Sequence, residues 1–140
     1  MNNCVFCKIV SQEIPADIVF QDERFLAFLD IHPVSKGHVL LIPKAHAPWM
    51  TDVGDAEIGD IFVAAKKIMH AMKRSVGCDY VQLGVVGIEI PHFHIHLIPQ
   101  KTSDDIPPSF RKSDPYDSDA EKNSFAQQIK DCCSSVFLVQ

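Results

Sequence analysis

The chain has 140 residues, 46% of them hydrophobic and 22% charged, with a net charge of −5. That length and balance suit one domain (1–140) around a single apolar core and exclude wholesale disorder. An acidic balance without a basic run makes nucleic acid a poor partner; no apolar run or leader points to a membrane or to secretion; and five cysteines, an odd number, suit a reducing cytoplasm better than a disulfide framework.

In chain order the first signal is Cys4-Val5-Phe6-Cys7, two thiols one turn apart in a loop that enters a short helix. Such a pair suits a soft tetrahedral ion at Zn–S distances of about 2.3 Å, yet two ligands leave zinc half satisfied. His46, just after the apolar run Val39 to Ile42, and His92 are the candidates for the other two positions. A redox pair is expected near the start of a βαβ unit, whereas this one precedes any recognisable strand. Redox chemistry and unligated thiols stay open as alternatives.

Ile18 to Phe20, Phe25 to Asp30 and His38 to Ile42 then read as strands, rich in Ile, Val, Phe and Leu and bounded by Gly, Pro or Asp. A long helix follows, with Ile58, Ile61, Phe62, Ala65, Ile68, Met69 and Met72 at helical spacing, Thr51, Asp52 and Asp55 as candidate caps and Gly77 as its stop. Its apolar stripe is core. Tyr80 to Val86 and Ile90 to Ile98 read as two more strands. Residues 101–118, with Pro107-Pro108, Pro115, four aspartates and four serines, read as an irregular connection. A terminal amphipathic helix over 119–136 is built around Phe125, Ile129 and Cys132.

The last strand carries the strongest pattern, His92-Phe93-His94-Ile95-His96-Leu97-Ile98. In an extended chain successive side chains alternate, so His92, His94 and His96 share one face while Phe93, Ile95 and Leu97 pack behind it. Imidazoles titrate near neutrality and serve in proton transfer, nucleophilic attack and metal ligation. At about 3.3 Å per residue the first and last of them lie roughly 13 Å apart, so one ion cannot readily claim all three. Two neighbours can share one, and some imidazole is then left for chemistry.

The blocks Cys4-x-x-Cys7-Lys8-Ile9-Val10, Glu13-Ile14-Pro15-Ala16, Ala27-Phe28-Leu29-Asp30-Ile31-x-Pro33, Gly37-His38, Ile42-Pro43-Lys44-x-His46 and His92-x-His94-x-His96-Leu97-Ile98-Pro99 follow in the order of the histidine triad (HIT) family. The chain resembles that family over residues 4–100. The resemblance implies an α+β HIT fold, an antiparallel sheet of about five strands with one long helix and a C-terminal helix, usually as a homodimer. It implies a nucleotide substrate, AMP-like, with a bond broken at its α-phosphate. His94 would be the nucleophile, forming a nucleotidyl-histidine that water hydrolyses, and His96 would hydrogen-bond the phosphate or bridging atom. Splitting one displacement into two steps lowers each barrier.

Zinc-bearing members and the related galactose-1-phosphate uridylyltransferases imply structural zinc on Cys4, Cys7, His46 and His92. The alternative for His46 is an unligated place near the phosphate. Uridylyltransferases carry glutamine for the third imidazole, so His96 argues against that branch. By the same resemblance Asp30 would accept from the ribose hydroxyls, and Val5, Phe6, Ile9, Phe28, Leu29 and Ile31 would wall the base pocket; each also has an ordinary core or turn reading. The resemblance also implies that the C-terminal segment completes the substrate pocket or the dimer, although nothing local in it identifies a partner.

One departure stands before the triad, where the run is Gly84-Val85-Val86-Gly87-Ile88-Glu89-Ile90-Pro91. Ile88 falls where the family carries a phosphate-binding glutamine. Either backbone N–H groups around Gly87 replace it, or Glu89 points away from the phosphate, which alternation favours if the strand is regular through Pro91. The reading is a purine nucleoside phosphoramidase-like hydrolase or transferase. Its alternatives are a dinucleoside polyphosphate hydrolase, a zinc-stabilised nucleotide-binding protein without catalysis, and a metal hydrolase built on two of the triad histidines.

Overall fold

The computed structural model describes residues 3–102 and 113–138. Five strands, β1 (Ile18–Gln21), β2 (Phe25–Leu29), β3 (Val39–Pro43), β4 (Tyr80–Gly84) and β5 (Ile95–Gln100), form one sheet in the order β1-β2-β3-β5-β4. Every neighbouring pair is antiparallel. Three α-helices join it: α1 (Val5–Val10), α2 (Asp55–Val76) and α3 (Asp119–Leu138). This is the α+β architecture that the sequence leads one to expect.

The two faces of the sheet follow from alternation. Phe25, Ala27 and Leu29 of β2, Val39 and Leu41 of β3 and Ile95 and Leu97 of β5 point to one side, where Ile61, Ile68 and Met72 of α2 and Ile129 of α3 cover them. Leu26 and Phe28, Leu40 and Ile42 point to the other, where Phe6 and Ile9 of α1 pack. That second face is only partly covered by a six-residue helix, so its remainder is open to hold a ligand.

Helix α2 departs from expectation at its start. Gly54 is the N-cap, while Thr51 and Asp52 belong to a 3₁₀ turn, Met50–Asp52, in which the Asp52 carboxylate accepts from the Trp49 N–H at 3.1 Å. With Asp52 so engaged, Asp55 and Glu57 are left in the first turn of α2, where they complement the helix dipole. Its end is as expected: Gly77 takes φ +74°, a left-handed conformation that stops a helix at little cost only for glycine.

The strand expected over Ile90 to Ile98 is shorter at its front. β5 begins at Ile95, opposite Leu41, and His92 and His94 sit in an irregular run before it. Pro43, at the end of β3, has no N–H to give and its carbonyl accepts from the His92 ring, while the Phe93 N–H goes to Ala47 O at 2.7 Å. Alternation survives this, because Phe93 joins the α2-side core with Ile95 and Leu97. Helix α3 runs two residues past the expected 119–136; of the expected connection over 101–118, residues 103–112 with Pro107-Pro108 lie outside the described residues. No helix among the described residues is long and apolar enough to cross a membrane.

Candidate active site

The half-open face of the sheet carries a cavity of about 800 Å³. Val5, Phe6, Ile9, Phe28, Leu29, Asp30 and Ile31, the expected nucleotide contacts, all line it, and so do His94 and His96. The fold brings these together from α1, β2, the turn after it, and β5 with the run before it. Phe6 is the hinge of the arrangement, its ring edge-on to Phe28 at 5.5 Å, to His92 at 5.8 Å and to His94 at 5.1 Å.

Behind Phe6, Cys4, Cys7, His46 and His92 converge, with all four ligand atoms within 4.8 Å of one another. Cys4 caps α1, its sulfur accepting from the Cys7 N–H at 3.3 Å, which turns both thiols to the same side. Cys7 Sγ lies 3.3 Å from His46 Nδ1 and 3.5 Å from His92 Nδ1, and Cys4 Sγ lies 3.4 Å from His92 Nδ1. A tetrahedral ion with one sulfur and one imidazole ligand separates the two by about 3.6 Å, so the cluster can close on such an ion with small shifts. His92 Nε2 donates to Pro43 O at 2.8 Å, which fixes the proton there and turns the Nδ1 lone pair to the thiols, the outer support that metal-binding histidines need. Burial, with the hydrogen bond and charge of Cys4 adding to it, pushes the Cys7 thiol up to about 11, and burial also lowers His92. A cation would offset the first effect and welcomes the neutral ring left by the second.

His94 Nδ1 lies 2.8 Å from His92 O. A carbonyl accepts only, so Nδ1 carries the proton and the lone pair sits on Nε2, in a side chain that lines the cavity. His96 is oriented by a residue the sequence reading gave no role. The Val34 N–H donates to His38 Nδ1 at 3.1 Å, so the proton of His38 is on Nε2, and from there it is given to His96 Nδ1 at 3.0 Å. His96 therefore carries its own proton on Nε2. Burial first, then neighbouring imidazoles, lowers His38 to about 3 and His96 to about 4, so both rings are neutral near pH 7.

Asp30 completes this group, with Oδ2 at 3.7 Å from His38 Nε2 and Oδ1 accepting from the His32 N–H at 2.9 Å. Asp30, His38 and His96 lie close enough to suggest a second metal site. The proton order argues otherwise, because a metal on His38 Nε2 would force a proton onto Nδ1, against the Val34 N–H. His38 and His96 form a hydrogen-bonded relay that ends at the cavity, with the Asp30 carboxylate beside it.

Two further features correct or extend the sequence reading. Glu89 was expected to point away from the phosphate site if the strand was regular through Pro91; the strand is not regular there, and both Ile88 and Glu89 line the cavity. Their loop bends at Gly87, φ +77°, where a Cβ would meet the Trp49 ring at 3.2 Å. From the far end of the chain, Asp119, Lys122 and Asn123 of α3 also reach the cavity, Lys122 paired with Asp17 at 3.3 Å. His38 left a trace in the sequence in the pair Gly37-His38; no local pattern marks the reach of α3, which the family resemblance alone implied.

The family model described as the HIT domain matches residues 11–103. The chain belongs to the histidine triad family. Among its HIT relatives is a HIT-like protein of Methanocaldococcus jannaschii, 40% identical over 106 residues that make up 72% of this chain and 81% of that one. The adenosine 5′-monophosphoramidase of Saccharomyces cerevisiae is 37% identical over 99 residues, 70% of this chain and 63% of the yeast protein. Of solved HIT structures, that of a zinc-bound histidine triad family protein from Mycobacterium smegmatis superposes with a TM-score of 0.85 at 28% identity, covering 99% of both chains.

Proposed function

We propose that this HIT protein is a nucleotide hydrolase or transferase acting at an α-phosphate through a nucleotidyl-histidine, with purine nucleoside phosphoramidates as its substrate class. The observation that carries the reading is the bond from His94 Nδ1–H to His92 O, which makes Nε2 the ring nitrogen left to attack. In this reading Nε2 attacks the α-phosphorus as the bond to the leaving group breaks. The His96 Nε2–H, held by the His38 relay, donates to the departing atom or to a phosphate oxygen. Water then attacks the same phosphorus, which releases the nucleoside monophosphate and restores His94. Val5, Phe6, Ile9, Phe28, Leu29 and Ile31 hold the base, and the Asp30 carboxylate takes the ribose hydroxyls. The similarity to a named monophosphoramidase supports the substrate class.

Cys4, Cys7, His46 and His92 would hold structural zinc in this proposal, supported by their geometry and by the zinc-bound neighbour. Bound there, the ion supplies cross-linking of α1 to the segment that carries the triad. The proposal includes a cytoplasmic homodimer. In support of the dimer, β4 is an edge strand with exposed Leu83, followed by exposed Val85 and Val86, the kind of edge another chain pairs with.

The test is acid-sparing quench and mass spectrometry during turnover of adenosine 5′-phosphoramidate. An AMP adduct on His94 is expected, with loss of at least about a thousandfold in kcat for His94→Ala and retained AMP binding. Turnover by His94→Ala, or rapid cleavage with no adduct, overturns the mechanism. Binding of AMP with no turnover in the parent protein would favour the non-catalytic reading, which Ile88 in place of a phosphate-binding amide motivates.

A further inference from the structure

The turn over 33–38 carries the first histidine of the relay, and its curvature lets its two ends meet: the Val34 N–H reaches His38 Nδ1 at 3.1 Å while the His38 N–H returns to Ser35 O at 3.0 Å. The turn is held from outside. The Asp114 N–H donates to Pro33 O at 3.0 Å, and the Tyr116 hydroxyl accepts from the Gly37 N–H at 2.9 Å. A segment from beyond the last strand thus grips both the start of the turn and the residue before His38.

Gly37 is where that grip counts most. It is buried with φ +96°, and a Cβ there would meet Val76 at 3.1 Å and Phe125 at 3.5 Å, so its backbone is pressed onto the end of α2 and onto α3. A buried N–H needs an acceptor, and here the acceptor is a side chain 79 residues away. Tyr116 is braced in turn, its ring tilted against Phe125 at 5.7 Å. It does not line the cavity, so it acts on the site only through the turn. From Gly37 the path is one residue to His38 and one hydrogen bond, at 3.0 Å, to His96.

Resting on the α-phosphate reading above, we propose that Tyr116 is a positioning residue for the triad: its hydroxyl holds Gly37, the turn thereby keeps the Val34 N–H on His38 Nδ1, and the proton order of His38 and His96 is preserved. Tyr116 touches neither substrate nor reacting atoms in this role. With the hydroxyl gone, the Gly37 N–H loses its acceptor, the turn loosens and His38 exchanges between tautomers. His96 then spends part of its time with its proton on Nδ1.

The test is Tyr116→Phe, which keeps the ring and removes the acceptor. Long-range ¹⁵N–¹H spectra of the imidazoles at pH 7 are expected to show Nε2–H alone on His38 and His96 in the parent protein and a mixture in the variant. With adenosine 5′-phosphoramidate, kcat is expected to fall about ten- to a hundredfold, the lower part of the range for one positioned proton donor, while AMP binding by calorimetry stays within about twofold because the base wall is untouched. A variant that only loosened the fold would weaken binding and rate together. Unchanged kcat, or a fall in kcat with unchanged tautomers, overturns the proposal. Should the variant fail to fold, deuterium exchange in the parent decides: a Gly37 amide as slow as those of the core strands supports the hold of the hydroxyl, and one as fast as an exposed amide overturns it. If the parent does not turn the phosphoramidate over, the catalytic reading fails alone, and the tautomers still decide the positioning role.

Discussion

At His38 the proton has no choice of nitrogen, because the Val34 N–H already occupies Nδ1. That one backbone bond propagates through His38 Nε2 to His96 and sets which of its atoms can donate. The arrangement requires neutral rings, and burial keeps them so, with His38 lowered to about 3 and His96 to about 4. In the unfolded chain both would titrate near the usual value of about 6.5. Between these limits the unfolded state binds protons that the folded state refuses, so the stability these rings contribute is full above about pH 6.5 and is lost as pH falls toward 4 and then 3. Urea unfolding across pH 7 to 4 should show this loss. In His38→Gln the slope should be shallower by up to one proton, about 1.4 kcal/mol per pH unit. An unchanged slope would mean that His38 charges in the fold. None of this was visible in Gly37-His38, since a tautomer is decided by whichever backbone group faces the ring.

Among the elements, α2 was the easiest to read, because its apolar residues recur with the helical period and every one of them finds the core or its margin. The start of β5 was hard to read for the opposite reason. Alternation in 92–98 is real, but strand hydrogen bonds need a partner, and at the end of β3 Pro43 has no N–H while its carbonyl is taken by the His92 ring. Helix α3 was legible as a helix from its own residues, and as part of the site only through the family resemblance. It lies on α2 and β1 with Ile129 fully buried between them, and the segment before it is tied down by the Gly37 N–H on the Tyr116 hydroxyl at 2.9 Å and by Lys36 on Asp117 at 3.3 Å. Those ties hold Lys36 and Gly37, the two residues before His38, so the tail and the relay are held by one set of contacts. Ile129→Ala should cost about 2 to 5 kcal/mol in urea unfolding, and exposed Gln128→Ala under about 0.5 kcal/mol. Equal effects would show that α3 contributes little to the fold.

For the molecule as a whole, the sheet separates two tasks. One face is sealed by α2 and α3 and supplies stability; the other is left partly open by the short α1 and carries the cavity, with the four-residue Cys/His cluster pinning α1 to the triad segment. If that cluster holds zinc, a chelator should lower the melting temperature by about 10 °C, the effect of roughly 4 kcal/mol from a ligand at a thousand times its Kd in a chain of this size. Activity below the melting point should survive, and Cys7→Ser should abolish the response to chelator. Loss of activity at unchanged melting temperature would point instead to a metal engaged in the chemistry on the triad.

By itself the sequence determined the donor atoms and their order: the thiol pair, the histidines at every second position, the apolar wall and the helical stripe, all of which depend on local periodicity and side-chain chemistry. Only the tertiary structure decided where each proton sits and which residues share the cavity. His92 is oriented by a carbonyl 49 residues away, His96 by a histidine 58 residues away, and the last wall of the cavity comes from the opposite end of the chain. Hydrogen-bond direction and charge act through space over a few ångströms, and no local pattern in a chain records which distant group will arrive there.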